Sequence, residues 1–496
     1  MVRMVREQSL LSRLVQIPAA QGGVDSKRRE ACHFLFSRLN SILPAIAIML
    51  MVVPTARQNL NIWFTATLLG TWVLFAVILR PGWPMQLNRY FYLVPLWLAY
   101  ACCEAVRVGM DLRFIGSYVL FLFPALIYDY YRKDHRALAI LTTAGILSFI
   151  TGTIMSIQVL WINPLAARLV STNLTSLTEY RELGHSGVGD FRFVYGVALL
   201  LPLLVAIGAG AGRTLPLRLA FLACACFFAY FLYLATFAMS IYIMIVGSLI
   251  AVFLHIRRLK LKFAALILVV VAGALFFVFG ADLMMFVSRN VKSDVLSIKA
   301  RELASVLPGA PAGGSIAADR SALYGISVQT FLDSPIAGAG AYYSINGFDI
   351  GSEHGITGHS EVFDTLARYG LVGAGIFFSI LFPLTFRAAS EWKGTAYGKA
   401  ALGIWMLLLL MCLSNPVSGQ TEIGVSVFLL WPALPKVFAA RKLAGSAIRP
   451  CIAPSGATVA RILKKAASTH IPGDIRSRSQ TRTQPRNCSI YRSTAR

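Results

Sequence analysis

The sequence predicts an all-α polytopic integral membrane protein with about twelve transmembrane helices and one large periplasmic loop that contains short helices. Three observations carry that reading. The 496 residues are 57% hydrophobic and only 14% charged, with a mean hydropathy of +0.66, more apolar and less charged than soluble domains are. Apolar runs of about 20 residues recur too often for a single soluble core, and the charges collect in the short stretches between them. The runs are continuous rather than alternating in segments of about ten residues, so helices fit and a barrel does not.

Taken in order, residues 1–39 carry Arg3, Arg6, Arg13, Lys27, Arg28, Arg29 and Arg38 without an apolar stretch long enough for a cleavable signal, and read as a basic cytoplasmic arm. Transmembrane helices 1–9 fall within residues 40–287. Their spans are Leu43 to Val53, Ile62 to Leu79, Phe91 to Val106, Phe114 to Tyr130, Leu138 to Ile162, Phe193 to Gly212, Leu217 to Phe237, Met239 to Ile256 and Phe263 to Phe286. Residues 288–370 form the large periplasmic loop, and helices 10–12 follow within 371–438 as Leu371 to Phe386, Ala400 to Leu413 and Val425 to Phe438. Residues 439–496 turn to Ser, Thr, Arg, Pro and Lys without long apolar runs, the composition of a basic, disordered cytoplasmic tail.

A net charge of +24 would suggest nucleic acid in a soluble chain, but here it follows the positive-inside rule. Alternating the spans puts Arg80, Arg89, Arg132, Lys133, Arg136, Arg213, Arg218, Arg257, Arg258, Lys260, Lys262, Arg387, Lys393, Lys399 and the tail from Lys436 on the cytoplasmic side, with the N-terminal arm. That side then holds roughly three quarters of the basic residues, and both termini. Of the eight cysteines, Cys102, Cys103, Cys224, Cys226 and Cys412 sit inside apolar runs, where a thiol behaves as a small hydrophobe, and no metal-ligand spacing is visible.

The outer loops are short except for Asn163 to Asp190 and the loop of about 80 residues before the tenth span, a length that connectors seldom reach without a function. Its second half, Ala318 to Gly373, gathers Asp319, Arg320, Asp333, Glu353, His354, His359, Glu361, Asp364 and Arg368. A helix is expected over Ser315 to Phe331, ended by Asp333-Ser334-Pro335, with Gly338 and Gly340 allowing a tight turn. A second helix is expected to start at Ser360 as N-cap, with Glu361 and Asp364 in its first turn and Val362, Phe363, Leu366 and Tyr369 along one face, laid against membrane or bundle. His359 then stands at the positive end of a helix dipole, which favours neutral imidazole, a proton acceptor. Arg320, near the start of the first helix, and Arg192, which opens the sixth span just after Asp190, are the guanidinium candidates for a phosphate ligand. The plainer readings are a snorkelling Arg192, an Arg320 paired with Asp319 or Asp333, and a structural His359.

These residues resemble a family. Arg320, then Phe331-Leu-Asp-Ser-Pro-Ile-Ala-Gly-Ala-Gly340, Gly358-His-Ser-Glu361 and Leu366-Ala-Arg-Tyr-Gly-Leu-Val-Gly373 look like the motifs of the O-antigen polymerase and O-antigen ligase superfamily, whose layout of spans and one late periplasmic loop is similar too. The resemblance implies glycosyl transfer at the periplasmic face of a bacterial inner membrane, without metal, cofactor or nucleotide sugar. Its donor is an undecaprenyl-diphosphate-linked oligosaccharide, its acceptor a saccharide, and its product O-antigen, capsule or exopolysaccharide. Membrane lipid and a chain-length regulator or other assembly proteins are the partners it suggests; nucleic acid is not one.

By position, His359 matches the family's loop histidine and Arg320 its loop arginine, the catalytic pair, while Arg192 in Asp190-Phe-Arg-Phe-Val-Tyr-Gly196 resembles a second diphosphate-binding arginine. Glu361, Asp364 and Tyr369 are supporting candidates. Where many relatives carry a Ser-Arg pair, this chain has Thr236-Phe-Ala-Met-Ser240, without an arginine. Relatives that act as ligases tend to show His-Asn at His359-Ser360, and Asp364-Thr-Leu-Ala-Arg-Tyr-Gly370 looks more like polymerases, so polymerase is the reading and ligase the alternative. A lipid-linked oligosaccharide flippase is the rival from another class, and it would concentrate charge within its spans rather than in an outer loop.

Overall fold

The computed structural model describes residues 40–437, apart from 60–61, 108–112, 172–181, 184, 210–214, 236, 257–258, most of 292–315, 341–354 and 396. The arm 1–39, the tail 439–496, Glu353, His354 and the Thr236 position lie outside the described residues.

Among the described residues the chain is helical, and every predicted span has a helix at its place. In order these are α1 (Asn40–Val52), α2 (Pro54–Asn59), α3 (Ile62–Leu79), α4 (Leu93–Arg107), α5 (Arg113–Tyr131), α6 (His135–Ile162) and α7 (Ala166–Ser171). There follow α8 (Phe191–Ala209), α9 (Leu215–Ala235), α10 (Ala238–His255), α11 (Leu259–Asn290), α12 (Ile316–Asp333), α13 (Glu361–Ser390) and α14 (Gly398–Ser414). The last span is α15 (Thr421–Gly424), a π-helical stretch Val425–Leu430 and a further helical segment 431–437. Among the described residues four helices, α6, α8, α9 and α13, are long and apolar enough to cross a membrane by length and composition.

Helix ends follow local chemistry rather than the edge of the apolar run. α6 begins three residues ahead of the predicted span because Asp134 caps it, accepting from the Arg136 and Ala137 amides at 3.1 and 3.0 Å. α11 extends to 32 residues, taking in Lys260 and Lys262, since lysine propagates a helix as readily as the apolar residues it precedes.

α8 is the central post: 83% of its apolar window is buried, against 22% for α9. A helix apolar on all sides belongs inside a bundle, and α9, α10 and the Thr421–Leu430 segment pack around it. The π-helical stretch is tied to it by Ser426 Oγ donating to the Gly196 carbonyl at 2.8 Å and by Trp431 Nε1 donating to the Leu199 carbonyl at 3.2 Å. Outward-facing Leu74, Leu147, Leu219 and Leu275 are exposed, as suits side chains in contact with lipid.

Candidate functional site

The loops that charge alternation assigns to the outer side meet at one end of the bundle. Arg57 of α2 donates to Asp190 Oδ2 at 2.7 Å and pairs with Glu422 of α15, so three separate connections are joined through one guanidinium. Burial alone would raise the Asp190 carboxyl, but Arg57 and then Arg192 outweigh it and hold the group below the usual carboxylate range. Arg192, in the first turn of α8, stands 3.5 Å from Asp190 through its Nε and keeps a half-exposed side chain. Asp190 also accepts from the Arg192 and Phe193 amides, so it caps α8 and sets where Arg192 begins.

His359 lies where the sequence reading puts it, half-buried, directly before the helix that Ser360 caps. Ser360 Oγ accepts from the Phe363 amide at 3.2 Å, and Asp364 Oδ2 accepts from the Ser360 amide at 3.0 Å, a reciprocal pair that holds the first turn. Replacing Ser360 with alanine is expected to cost about 1 kcal/mol, the usual worth of a serine cap, read as a fall of a few degrees in the thermal unfolding of detergent-solubilised protein.

The polar face of α13, rather than its apolar one, turns inward. Glu361, Asp364 and Thr365 are buried, while Val362, Phe363 and Leu366 are half-buried. The reason is that each polar group has its partners there. Glu361 Oε2 accepts from the Val417 and Ser418 amides at 2.7 Å each, Oε1 accepts from Thr365 and Ser418 hydroxyls, and Asp364 Oδ1 accepts from Ser327 of α12 at 2.7 Å. Tyr369 is a core side chain, edge-on to Trp97 at 6.0 Å. Glu361 and Asp364 therefore hold the start of α13 in place, and Tyr369 packs in the core.

Two tethers join the arginine-bearing helices to the start of α13. Through the Ser327–Asp364 bond α12 packs on α13, and Arg320 precedes Ser327 by about two helical turns, a register position on that same face of α12. The Arg320 side chain lies outside the described residues. From the other side, Tyr195 of α8 donates to Asn415 Oδ1 at 3.0 Å, and the Asn415 carbonyl accepts from the Glu361 amide at 3.2 Å. Arg192 is three residues before Tyr195, one turn along the same helix.

The glycines of the motifs form an interlock. α13 breaks at Gly370, with φ 62° and ψ −169°, a conformation that is essentially glycine's own. The break frees backbone groups that the Pro335–Gly340 turn takes up. The Ala339 and Gly340 amides donate to the Ala367 and Arg368 carbonyls at 2.9 and 3.1 Å, and the Leu371 and Val372 amides donate to Pro335 and Ile336 carbonyls at 2.8 and 3.2 Å. Gly338, at φ 82°, faces Gly370 so closely that a Cβ on either would fall within 2.5 Å of the other's amide nitrogen. α4 clamps this junction: Tyr100 donates to the Ala337 and Tyr369 carbonyls at 2.9 and 3.0 Å, and Arg107 donates to the Gly338 carbonyl at 3.0 Å.

Sequence reasoning missed Arg57, Glu422, Asn415, Tyr100 and Arg107. Only Arg57 and Arg107 left a signal, as basic residues on the side that the charge rule leaves poor in them. Among the described residues no cluster of His, Cys, Asp or Glu has the makings of a metal site.

Residues 219–378 match the family model described as O-antigen ligase. The matched segment runs from α9 to the middle of α13, so it contains Arg320, His359 and the Gly338–Gly370 interlock, while Arg192 and Asn415 lie outside it. No curated protein matches the chain. This segment and the motifs within it support a likeness to the O-antigen polymerase and ligase superfamily.

Proposed function

We propose that the protein polymerises oligosaccharide repeat units carried on a polyprenyl diphosphate, at the periplasmic face of the inner membrane. The supporting observation is a juxtaposition: His359 stands at a capped helix start tied on one side to α12, which carries Arg320, and on the other to α8, which carries Arg192. In the proposed step, His359 takes the proton from an acceptor hydroxyl as its oxygen attacks the anomeric carbon of the donor. The anomeric carbon's bond to the phosphate oxygen breaks, and the electron pair leaves with the polyprenyl diphosphate. Arg192 and Arg320 stabilise the charge that develops there. One displacement inverts the anomeric configuration. Asp190, held ionised by Arg57, orients Arg192 without neutralising the whole guanidinium, whose side chain is 42% exposed.

Arg320→Ala is expected to leave an inserted protein that makes no polymer when it replaces the native copy in cells supplying the native repeat unit. Polymer of normal length from that variant would overturn the role of Arg320. Arg320→Lys separates charge from shape: a planar fork on diphosphate oxygens predicts that lysine restores only a small part of the activity.

The description of the matched family favours a second reading, transfer of finished polymer to lipid A-core. The same cells distinguish the two. Loss of a polymerase leaves core bearing single repeat units, whereas loss of a ligase leaves polymer on the lipid carrier and bare core.

A further inference from the structure

At the other end of the bundle the connection between α3 and α4 folds over the end of α5. From Glu361 to Arg387 α13 rises roughly 39 Å at about 1.5 Å per residue, less what the break at Gly370 removes, against a hydrocarbon layer of about 30 Å. Arg387 donates to Asp129 Oδ1 at 2.9 Å, so Asp129 marks the membrane face opposite His359. Beside it lies a cleft of about 210 Å³ lined chiefly by Arg80, Trp83, Gln86, Asp129, Arg132 and Lys133.

The cleft is built for an anion. Arg80 donates to the Tyr130 carbonyl at 3.1 Å and lies over the Tyr130 ring at 4.7 Å, which fixes its guanidinium at the cleft wall. Arg132 shares Asp129 with Arg387 at 3.4 Å, and no carboxylate of the described residues pairs with Arg80 or Lys133. Three cations thus face one carboxylate that is already engaged.

Two buried polar atoms point to the ligand's chemistry. Trp83 is 7% exposed, packed edge-on against Trp72 and Tyr130 at 5.9 and 4.9 Å, yet its indole Nε1 meets no acceptor among the described residues. Asp129 Oδ2 is likewise buried without a donor. A buried indole N–H calls for an acceptor and a buried carboxylate oxygen for a donor. One ligand that supplies both is a phosphodiester bearing a hydroxylated headgroup.

The setting is that of a lipid. Trp72, Trp83, Tyr130 and Tyr131 form a buried aromatic cluster that makes the inner wall of the cleft rigid. Leu74 and Ile78, on one face of the last turns of α3 just before Arg80, are exposed at 60% and 61%, an apolar track for an acyl chain leading to the cleft.

We propose that this cleft binds the headgroup of an anionic phospholipid, with Arg80, Lys133 and the Trp83 indole donating to phosphate oxygens and Asp129 accepting from a headgroup hydroxyl. The proposal stands apart from the glycosyl-transfer reading and shares no residue with it.

Native mass spectrometry of the full chain in a neutral detergent tests it, with dioctanoyl phosphatidylglycerol, dioctanoyl phosphatidylcholine and inorganic phosphate as separate probes. Phosphatidylglycerol should bind at concentrations about tenfold below phosphatidylcholine, and the combined Arg80→Gln and Lys133→Gln variant should bring the two lipids level. Trp83→Phe, which keeps the ring and removes the donor, should weaken phosphatidylglycerol binding. Equal binding of the two lipids to the wild-type chain overturns the proposal, as does undiminished phosphatidylglycerol binding by the combined variant. Inorganic phosphate that binds as tightly as phosphatidylglycerol and displaces it overturns the lipid assignment. Lys133→Gln, on an exposed turn, and Trp83→Phe keep the test decisive if the combined variant does not purify.

Discussion

A His359→Ala variant is expected to insert as a folded protein and to lose polymer synthesis, with turnover down about 10² to 10⁴-fold, the range that a general base contributes. The expectation follows from where His359 sits. Ser360 and Asp364 satisfy the helix start, and Glu361 fixes the neighbouring turn through the Val417 and Ser418 amides, so the fold does not depend on the imidazole for these bonds. A cooperative thermal unfolding transition in the variant shows that the loss of activity is not a loss of fold. Added imidazole should restore part of the activity if the missing group is a base. A variant that polymerises normally would remove His359 from the mechanism. A variant that is inactive because it no longer unfolds cooperatively would make the histidine structural.

The largest effect on stability is expected at Gly370. A methyl group there would lie 2.3 Å from the Ile336 carbonyl oxygen and 2.5 Å from the Gly338 nitrogen, in a backbone conformation closed to other residues. Neither neighbour is a flexible side chain that could move aside. Gly370→Ala is expected to cost about 3 kcal/mol or more and to separate the Pro335–Gly340 turn from α13, seen as loss of the monodisperse protein peak in detergent and of polymer in cells. Gly375→Ala is the matched control. It lies in the same helix, with nothing within 4 Å of its added Cβ, and should be neutral or slightly stabilising. Equal behaviour of the two variants would mean that the interlock is not what the motif glycines are for.

These expectations divide the family motifs into two kinds of residue. Gly338, Gly370 and the Asp364–Ser327 contact shape one rigid junction between α12 and α13. On the proposed mechanism, His359 and the arginines do chemistry that the junction makes repeatable, because a base and a phosphate ligand on separate helices act together only if those helices keep their register. Arg57 extends the same logic to α8, since its bonds to Asp190 and Glu422 tie the start of that helix to two other loops.

The sequence by itself determined the helical class, the places of the helices, the end of α12, the start of α13, the Ser360 cap and the position of His359 before it. Those features are local: about 20 apolar residues make a helix in lipid, proline ends one, and a serine caps one whatever lies nearby. Only the tertiary structure decided which residues far apart in the chain meet. Arg57 reaches Glu422, Tyr195 reaches Asn415, and Gly338 faces Gly370, and no spacing or composition encodes such pairs. It also decided which face of α13 turns inward. Hydrophobic patterning pointed to Val362, Phe363, Leu366 and Tyr369 as the packed face; Tyr369 is buried, but the other three are half-buried, and Glu361 and Asp364 are buried because waiting amides and hydroxyls from 415–420 and α12 satisfy them. Burial of a polar side chain depends on partners, and partners are supplied by the fold.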